Sequence, residues 1–388
     1  MKKNIYITPE GTKDYLFKEC TSVNLVCDKI QNVFENHYFH QVFTPTLEYY
    51  DLFANEKSGI EQEVMFKSTD NKGKIIVARP DSTLPIARMV ATRLQNEILP
   101  VRLYYKQCVF RNHPTLTGKS NEIMQMGVEL IGAEGKRADL EIITTAIDSL
   151  QTVSDDFRIE LGHSMLFISL INSLNVNDSV KDNIKIFIEN KNYSALNNAL
   201  DKLEQDDTVE AIRKLPSLFG GEEVFDKALN YIKNEDALVA LDYLKNLYSE
   251  LQSLGLEDRI IVDLGLVQRN DYYSGIIFSG YVPGCGDAVL SGGRYDKIFD
   301  IFNCSMGASG FAININYLAD ESRHLATKNI PDVLVIAKTD DDIMKAISYT
   351  KELVSTGVKA QFSVATTEEC AREYANKLGI KVVQVIGE

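Results

Sequence analysis

The feature that most constrains the fold is a long polar helical stretch that interrupts two strand-rich segments. Residues 164–258 contain runs such as VFDKALNYIKNEDALVALDYLKNLYSELQSL, in which apolar residues recur at helical spacing. On either side, short apolar runs alternate with polar residues between turn-forming residues, which is typical of strands. The pattern therefore predicts a sheet-based core comprising residues 1–163 and 259–325, with residues 164–258 as a helical insertion.

The first strand-rich segment predicts two helices and two long strands. Residues 14–38 have apolar positions at helical spacing after Asp14, which is a favourable N-cap residue. Residues 81–99 predict a second helix with Asp81 at its start. The runs VRLYYKQCVFR and EIMQMGVELIG alternate as strands do, and a polar loop joins them.

A separate unit is predicted at the C-terminal end of the sequence. The order of strand, helix, strand, helix and strand within residues 329–388 indicates a small α/β module. Counted from residue 331, this part carries seven Lys and Arg against nine Asp and Glu. A slightly acidic surface binds phosphate backbones poorly, so the module is not expected to bind tRNA.

Composition narrows the class of protein. The hydrophobic fraction of 45% and the charged fraction of 25% are those of a globular chain. No apolar run reaches the roughly 18 residues that span a bilayer, and the N-terminus lacks a signal peptide, so a cytoplasmic protein without membrane contact is expected. The net charge of −14 disfavours nucleic acids as partners. Six cysteines without a CxxC pair and five histidines without ligand spacing disfavour a metal site and a disulfide framework.

Several short motifs in a fixed order carry a family resemblance. They are RPDST at 79–83, FRNHP at 110–114, QMGVELIG at 125–132, DYYSG at 271–275, GGRYD at 292–296 and GFAI at 310–313. Together they resemble the core of the class II aminoacyl-tRNA synthetases, and histidyl-tRNA synthetase in particular. The resemblance implies an α+β fold with an antiparallel sheet core flanked by helices. It also implies that the C-terminal module is the beginning of an anticodon-binding-like domain.

This resemblance implies a pocket for histidine. A carboxylate, a hydroxyl and an amide can hold the α-ammonium group, while Glu129 and a tyrosine hydroxyl can pair with the two imidazole nitrogens. Alternation along a strand places Gln125, Gly127 and Glu129 on one face. The histidine-binding residues implied by the family's motifs are Asp81, Thr83, Arg111, Gln125, Glu129, Tyr272 and Tyr273.

Several of these positions are open to a second interpretation. Tyr272 and Tyr273 alternate if their segment is a strand, so one is expected in the core, and Tyr273 is expected on the ligand side. Glu129 is also compatible with a strand carboxylate that faces solvent, and Arg111 with a structural or anion-binding remnant. Arg294 in GGRYD is compatible with an ion pair to a nearby carboxylate and no further role.

The ATP side of the pocket departs from the family pattern. Activation of an amino acid by ATP needs fixed cations at the α-phosphate, typically arginines. The arginine that heads the family's RGLDYY motif is replaced by Gln268, and Arg269 follows one position later, on the opposite face of a strand. In GFAININYL, Asn314 replaces a glycine and Tyr317 replaces the arginine that stacks on adenine. These degenerate ATP-site positions predict a pocket that holds histidine without activating it.

A synthetase-like core with a degenerate ATP site resembles the regulatory subunits of ATP phosphoribosyltransferase. The resemblance implies a chain without catalytic residues or a cofactor, with L-histidine as an effector. It implies activation of a short-form catalytic subunit, hetero-octameric assembly as in the family, and feedback inhibition of the first step of histidine biosynthesis. A self-dimer through the 40–53 edge is expected from class II cores. Two other interpretations stay open: a divergent histidyl-tRNA synthetase, and a paralogue that binds another amino acid.

Overall fold

The structure is a computed structural model that describes residues 4–55, 58–114, 118–267, 272–324 and 329–387. Its helices are α1 (Lys18–Asn36), α2 (Thr83–Arg93), α3 (Lys136–Gln151), α4 (Ser164–Ser173), α5 (Asp178–Glu189), α6 (Tyr193–Leu200), α7 (Asp207–Lys214), α8 (Glu223–Ala228), α9 (Glu235–Ser253), α10 (Ile315–Glu321), α11 (Ile343–Ser355) and α12 (Glu368–Leu378). Its strands are β1 (His40–Gln41), β2 (Leu47–Tyr49), β3 (Lys67–Thr69), β4 (Ile75–Ala78), β5 (Val101–Phe110), β6 (Glu122–Ile131), β7 (Arg158–His163), β8 (Phe219–Gly220), β9 (Ile260–Asp263), β10 (Ile276–Tyr281), β11 (Leu290–Arg294), β12 (Ala308–Asn314), β13 (Val333–Ala337), β14 (Ala360–Phe362) and β15 (Val382–Ile386). Among the described residues, no helix is both long enough and apolar enough to cross a membrane.

Nine strands form one large sheet in the order β1-β5-β6-β12-β11-β10-β7-β9-β8. Every neighbouring pair from β5 to β7 in this order is antiparallel, whereas β1 with β5 and β7 with β9 are parallel. Strand β6 pairs with β12, so parts of the chain before and after the helical stretch contribute to a single sheet. The predicted α+β class with an antiparallel sheet core is confirmed.

The two faces of this sheet are covered differently, because strand residues alternate between them. On β6, Met126, Val128 and Leu130 belong to a large apolar core that includes buried residues of α1 and α3. The intervening residues Gln125 and Glu129 face the other side, where a second apolar cluster contains buried residues of α2. The candidate ligand-binding residues of β6 therefore lie on the face away from α1 and α3.

The stretch 164–258 is helical for most of its length, since α4 to α9 lie within it, as predicted. Strand β8 is an exception. Phe219 and Gly220 pair with Asp263 and Val262 of β9 and extend the large sheet by one short strand. A strand of this length shows no alternation in the sequence, which is why the pattern did not reveal it.

Two helices are shorter than predicted. The helix expected over 14–38 begins at Lys18, so Asp14 lies too far ahead of it to be its N-cap. The helix expected over 81–99 ends at Arg93, because Leu94 leaves the helical conformation. At the start of this helix Ser82 is the N-cap residue and forms no side-chain capping hydrogen bond, whereas the side chain of Asp81 directly before it accepts the backbone amide of Leu84 in the first turn.

The chain divides into two compact units, and the second comprises Leu16–Thr21 and His324–Glu388. Its strands form a parallel sheet in the order β14-β13-β15, and α11 and α12 connect them along the chain. Leu334, Ile336 and Ala371 lie in its own apolar core. The structure of this unit agrees with the predicted strand–helix–strand–helix–strand order.

Candidate functional site

The candidate site lies where β6, the first turn of α2 and the residue after β11 meet. Glu129 from β6, Thr83 from α2 and Tyr295 are in direct contact there. The register of the sheet explains the position of Glu129, which pairs with Gly310 of β12. A Cβ atom at residue 310 would collide with Oε2 of Glu129, so the glycine leaves the space that the carboxyl group occupies.

Glu129 is a buried carboxyl group, and both of its oxygens accept hydrogen bonds. Thr83 Oγ1 donates to Oε1 at 2.8 Å, and the Tyr295 hydroxyl donates to Oε2. Only 1% of the residue is exposed, so the alternative of a solvent-facing strand carboxylate is wrong. Burial raises the pKa of Glu129 to about 8, although the two hydroxyl donors act to lower it and the charge of Asp81 adds to the increase.

Asp81 is the second buried carboxyl group of the site. Its Oδ1 atom accepts the backbone amide of Leu84 at 3.0 Å. Burial raises the pKa of Asp81, while the Leu84 amide and the positive charge of Arg111 act to lower it. Nε of Arg111 donates to the carbonyl of Pro80 at 3.0 Å, so Arg111 lies beside the RPDST segment. It forms no ion pair with Asp81 within the part of the chain that the structure describes.

Tyrosine rings pack together around the two buried carboxyl groups of the site. The ring centroids of Tyr272 and Tyr273 are 4.9 Å apart, and those of Tyr272 and Tyr295 are 6.0 Å apart. The hydroxyl of Tyr105 donates to Oε1 of Gln125 at 3.3 Å. Burial raises the pKa of Tyr105, Tyr272 and Tyr295 well above the usual value, so these hydroxyls stay protonated and can donate hydrogen bonds.

The expectation that Tyr272 and Tyr273 point to opposite faces of a strand is wrong. Strand β10 begins only at Ile276, and the residues directly before it are not extended into the sheet. Both tyrosine rings therefore lie in the same buried cluster and contact each other. Tyr272 packs against Tyr295, and the charge of Glu129 contributes to its raised pKa, so Tyr272 is a candidate for ligand contact along with Tyr273.

Only some of the degenerate ATP-site positions lie among the described residues. Gln268 and Arg269 lie outside the described residues, so their roles stay predictions. Tyr317 lies in α10, and its hydroxyl donates to Oδ2 of Asp287 at 3.4 Å. Asn314 is the N-cap residue of the same helix, and its side chain accepts the amide of Asn316 at 3.1 Å. Both substituted residues therefore have structural contacts of their own.

Arg294 agrees with the interpretation of a local ion pair. It is buried, and its guanidinium contacts Asp296 at 3.0 Å, as the GGRYD motif suggested. It also contacts Asp139 of α3 at 2.6 Å, which the sequence did not reveal. Within the described ranges there is no cluster of three or more His, Cys, Asp or Glu side chains that could hold a metal ion.

Sequence reasoning missed two residues that the structure places at the site. Tyr295 directly follows Arg294 in GGRYD, and its hydrogen bond to Glu129 makes it a central member. Tyr105 lies on β5 opposite Gly127, where a Cβ atom would collide with its hydroxyl. A signal for Tyr295 was present, because it directly follows a strand in GGRYD and binding residues are disproportionately found on the segments that connect regular elements.

Comparisons with known proteins show which family the chain belongs to. The histidyl-tRNA synthetase family model matches residues 11–318. A protein of Clostridium novyi (strain NT), named ATP phosphoribosyltransferase regulatory subunit, is 42% identical over 374 residues, which cover 95% of this chain and 89% of that protein. A crystal structure described as an ATP phosphoribosyltransferase regulatory subunit/histidyl-tRNA synthetase from Bacillus halodurans C has a TM-score of 0.86 at 28% identity and covers 99% of both chains.

Histidyl-tRNA synthetase from Nostoc sp. PCC 7120 shares the fold, with a TM-score of 0.79 at 18% identity over 97% of this chain and 90% of that chain. The family model covers most of the chain, and the Clostridium novyi relative extends the similarity through the C-terminal module. The chain therefore belongs to the histidyl-tRNA synthetase-like family of ATP phosphoribosyltransferase regulatory subunits.

Proposed function

We propose that this chain is the non-catalytic regulatory subunit of an ATP phosphoribosyltransferase and that the site around Glu129 binds L-histidine as an effector. The observation that carries the proposal is the pair of buried carboxyl groups, Asp81 and Glu129, whose direct hydrogen-bond partners are hydroxyl groups and a backbone amide. A ligand that brings positive charge stabilises the ionised form of such desolvated groups. No cofactor is part of the proposal.

Histidine has the groups that this arrangement needs. Its α-ammonium group can donate to a carboxylate, and its imidazole ring offers two nitrogens to Glu129 and to a tyrosine hydroxyl. The rings of Tyr272, Tyr273 and Tyr295 supply flat apolar walls that suit an imidazole ring. Thr83 and Gln125 add a hydroxyl and an amide, and Arg111 lies close to Asp81.

The proposal separates histidine binding from histidine activation. A synthetase needs free cations at the position of the ATP phosphates. Here the tyrosine at position 317 contacts Asp287 instead of offering a positive charge, and Asn314 caps the helix that carries it. These contacts favour an effector site over an adenylation site.

The proposed partner is a short-form ATP phosphoribosyltransferase catalytic subunit, in a hetero-octamer as in the family. A self-dimer is also proposed, because Tyr38, Phe43, Leu47 and Tyr49 are all more than half exposed, and apolar surface of this kind is typical of interfaces. Sedimentation of the isolated chain tests the dimer, and a monomer would contradict it. The acidic net charge of −14 supports an assembly without tRNA, and a cytoplasmic location is part of the proposal.

The test of the function is the rate of phosphoribosyl-ATP formation by the short catalytic subunit from the same genome. We expect this chain to stimulate the reaction and histidine to inhibit the complex. Glu129→Ala is expected to raise the half-inhibitory histidine concentration about tenfold or more, because a hydrogen bond to a charged group is worth about 1.5–3 kcal/mol. The exposed residue Glu97 offers a control, since Glu97→Ala should leave inhibition unchanged.

The outcomes of this test differ between the candidate functions. Lack of stimulation by a folded preparation, or unchanged inhibition in Glu129→Ala, would contradict the proposal. Histidine-dependent ATP–pyrophosphate exchange would instead indicate a divergent histidyl-tRNA synthetase. Stronger binding of a different amino acid in calorimetry would indicate a paralogue with another ligand.

A further inference from the structure

A buried network connects the proposed ligand site with the helical insertion. Its centre is Arg294, which is 6% exposed. Nε and Nη2 of Arg294 donate to Oδ1 of Asp139 at 2.9 and 2.6 Å, and Nη1 donates to Oδ1 of Asp296 at 3.0 Å. The carbonyls of Ala133 and Gly135 accept further hydrogen bonds from the same guanidinium at 3.2 and 3.3 Å. The position of Arg294 is therefore fixed from several directions.

At one end, the network holds the segment that follows Tyr273. Ser274 Oγ donates to Oδ2 of Asp296 and accepts the backbone amide of Asp296, both at 3.1 Å. The Ser274 amide donates to the carbonyl of Arg294 at 2.8 Å. Gly275 lies so close that a Cβ atom there would be 2.9 Å from the Arg294 side chain. Ser274 and Gly275, the two residues after Tyr273, therefore transmit a shift of Tyr273 on ligand binding to Arg294.

Tyr295 gives the network a second connection to the site. It directly follows Arg294 in the chain, and its hydroxyl donates to Glu129. Its backbone amide donates to the carbonyl of Ala308 at 2.8 Å, and Asp296 in turn accepts the amide of Ala308 at 2.8 Å. If a ligand that pairs with Glu129 moves Tyr295, the neighbouring residues Arg294 and Asp296 therefore move with it.

At the other end, two helices of the insertion are attached to the same network. The hydroxyl of Tyr243 in α9 donates to Oδ2 of Asp139 at 2.5 Å, while Arg294 contacts Oδ1. Ser164, the first residue of α4, donates from its amide and its Oγ to the carbonyl of Gly275 at 2.9 and 3.0 Å. Helices α4 and α9, the first and the last helix of the insertion, are thus joined to residues that contact Arg294.

A solvent-open pocket lies between the insertion and the sheet. It measures about 280 Å³, with Phe167 and Ile171 of α4 and Lys185 of α5 on one side and Tyr273 and Ile277 on the other. The described residues of α4 and α5 therefore do not pack continuously against Tyr273, and the hydrogen-bonded attachments are the direct connections between the insertion and the Arg294 network.

We propose that the Arg294 network couples the ligand site to the helical insertion, so that occupancy of the site changes the mobility of α4 and α9. Tyr243 is then a positioning residue, which acts through Asp139 and Arg294. This inference rests on the proposed function, because its ligand is the amino acid proposed above. Coupling between two sites is reciprocal. If the ligand restrains α9 by a given factor, then a substitution that breaks the coupling must weaken ligand binding by the same factor.

The test is backbone hydrogen exchange over α9 in the full chain, with and without L-histidine. Tyr243→Phe removes the hydroxyl that contacts Asp139. The matched control Tyr248→Phe removes a hydroxyl from the same helix, on a ring that packs against Phe225. We expect histidine to slow exchange about fivefold or more in the wild type and in the control. In Tyr243→Phe this change should be lost, and histidine should bind more weakly by a similar factor.

A second variant tests the network from the ligand side. Ser274→Ala removes both side-chain hydrogen bonds to Asp296 and leaves Tyr243 in place, so the same loss of response in α9 is expected. Histidine binding to the wild type without a response in α9, or with an equal response in Tyr243→Phe, would refute the coupling and leave the proposed function standing. An absence of histidine binding to the folded wild-type chain would overturn both.

Discussion

The buried carboxyl group of Glu129 makes the stability of the protein depend on pH in a way that one substitution can remove. Burial raises the pKa of Glu129 to about 8 in the folded chain, against 4.5 for an ordinary glutamate. Between these values the folded protein holds a proton that the unfolded chain has released. The stability from this group is therefore fully present below about pH 4.5 and is lost as the pH rises through about 8.

The size of the effect follows from the width of this window. One proton changes the free energy of unfolding by about 1.4 kcal/mol for each pH unit. From about pH 5 to about pH 7, Glu129 therefore lowers the free energy of unfolding by about 2–3 kcal/mol. Burial also raises the pKa of Asp139, which does not interact with Glu129, so its effect cancels in the difference between the wild type and a Glu129→Gln variant. Asp81 does interact with Glu129, so the difference reports the two coupled carboxyl groups together.

Urea denaturation of the wild type and Glu129→Gln over this pH range, in buffer without histidine, measures the difference directly. The variant keeps the shape of the side chain and lacks the titratable group. We expect it to gain stability relative to the wild type as the pH rises, while the exposed control Glu97→Gln follows the wild type. Parallel pH profiles for the wild type and Glu129→Gln would refute the reasoning, because Glu129 would then ionise at the same pH in both states.

Two further substitutions test the packing around the site. Gly310→Ala places a Cβ atom against the Glu129 carboxyl group, so we expect a loss of about 1–3 kcal/mol in denaturation and weaker histidine binding in calorimetry. An unchanged affinity would show that the carboxyl position does not matter for the ligand. Arg294→Met leaves Asp139 and Asp296 without their cation and should lower the free energy of unfolding by about 3–5 kcal/mol. A loss below about 1 kcal/mol would show that these charges are solvated in the folded protein.

Local patterns predicted the part of the site that lies on regular elements. Alternation along QMGVE placed Gln125 and Glu129 on one face of a strand, and the hydrogen bonds of both residues agree with this. The RPDST pattern predicted the start of a helix, and in the structure this start brings Thr83 into a hydrogen bond with Glu129 and the charge of Asp81 close enough to affect it. These predictions succeed because they depend only on residues a few positions apart.

Contacts between distant residues could not be predicted in the same way. Arg294 and Asp139 are 155 residues apart, and Tyr295 and Glu129 are 166 residues apart, so only the folded sheet brings them together. The expected alternation of Tyr272 and Tyr273 was wrong for a different reason. The strand pattern of the following residues was extended backwards over a segment that the structure shows outside β10.

The pairing of β6 with β12 also affects how the chain can fold during its synthesis. Ile131 in β6 and Ala308 in β12 are partners, although 177 residues separate them (308 − 131). At roughly 5–20 residues per second, a ribosome needs about 10–35 s to add that much chain. During this time one edge of β6 has no partner, and unpaired strand edges attract other chains. The N-terminal half of the nascent chain therefore cannot complete the large sheet, and that edge of β6 stays open to other chains until β12 has left the ribosome.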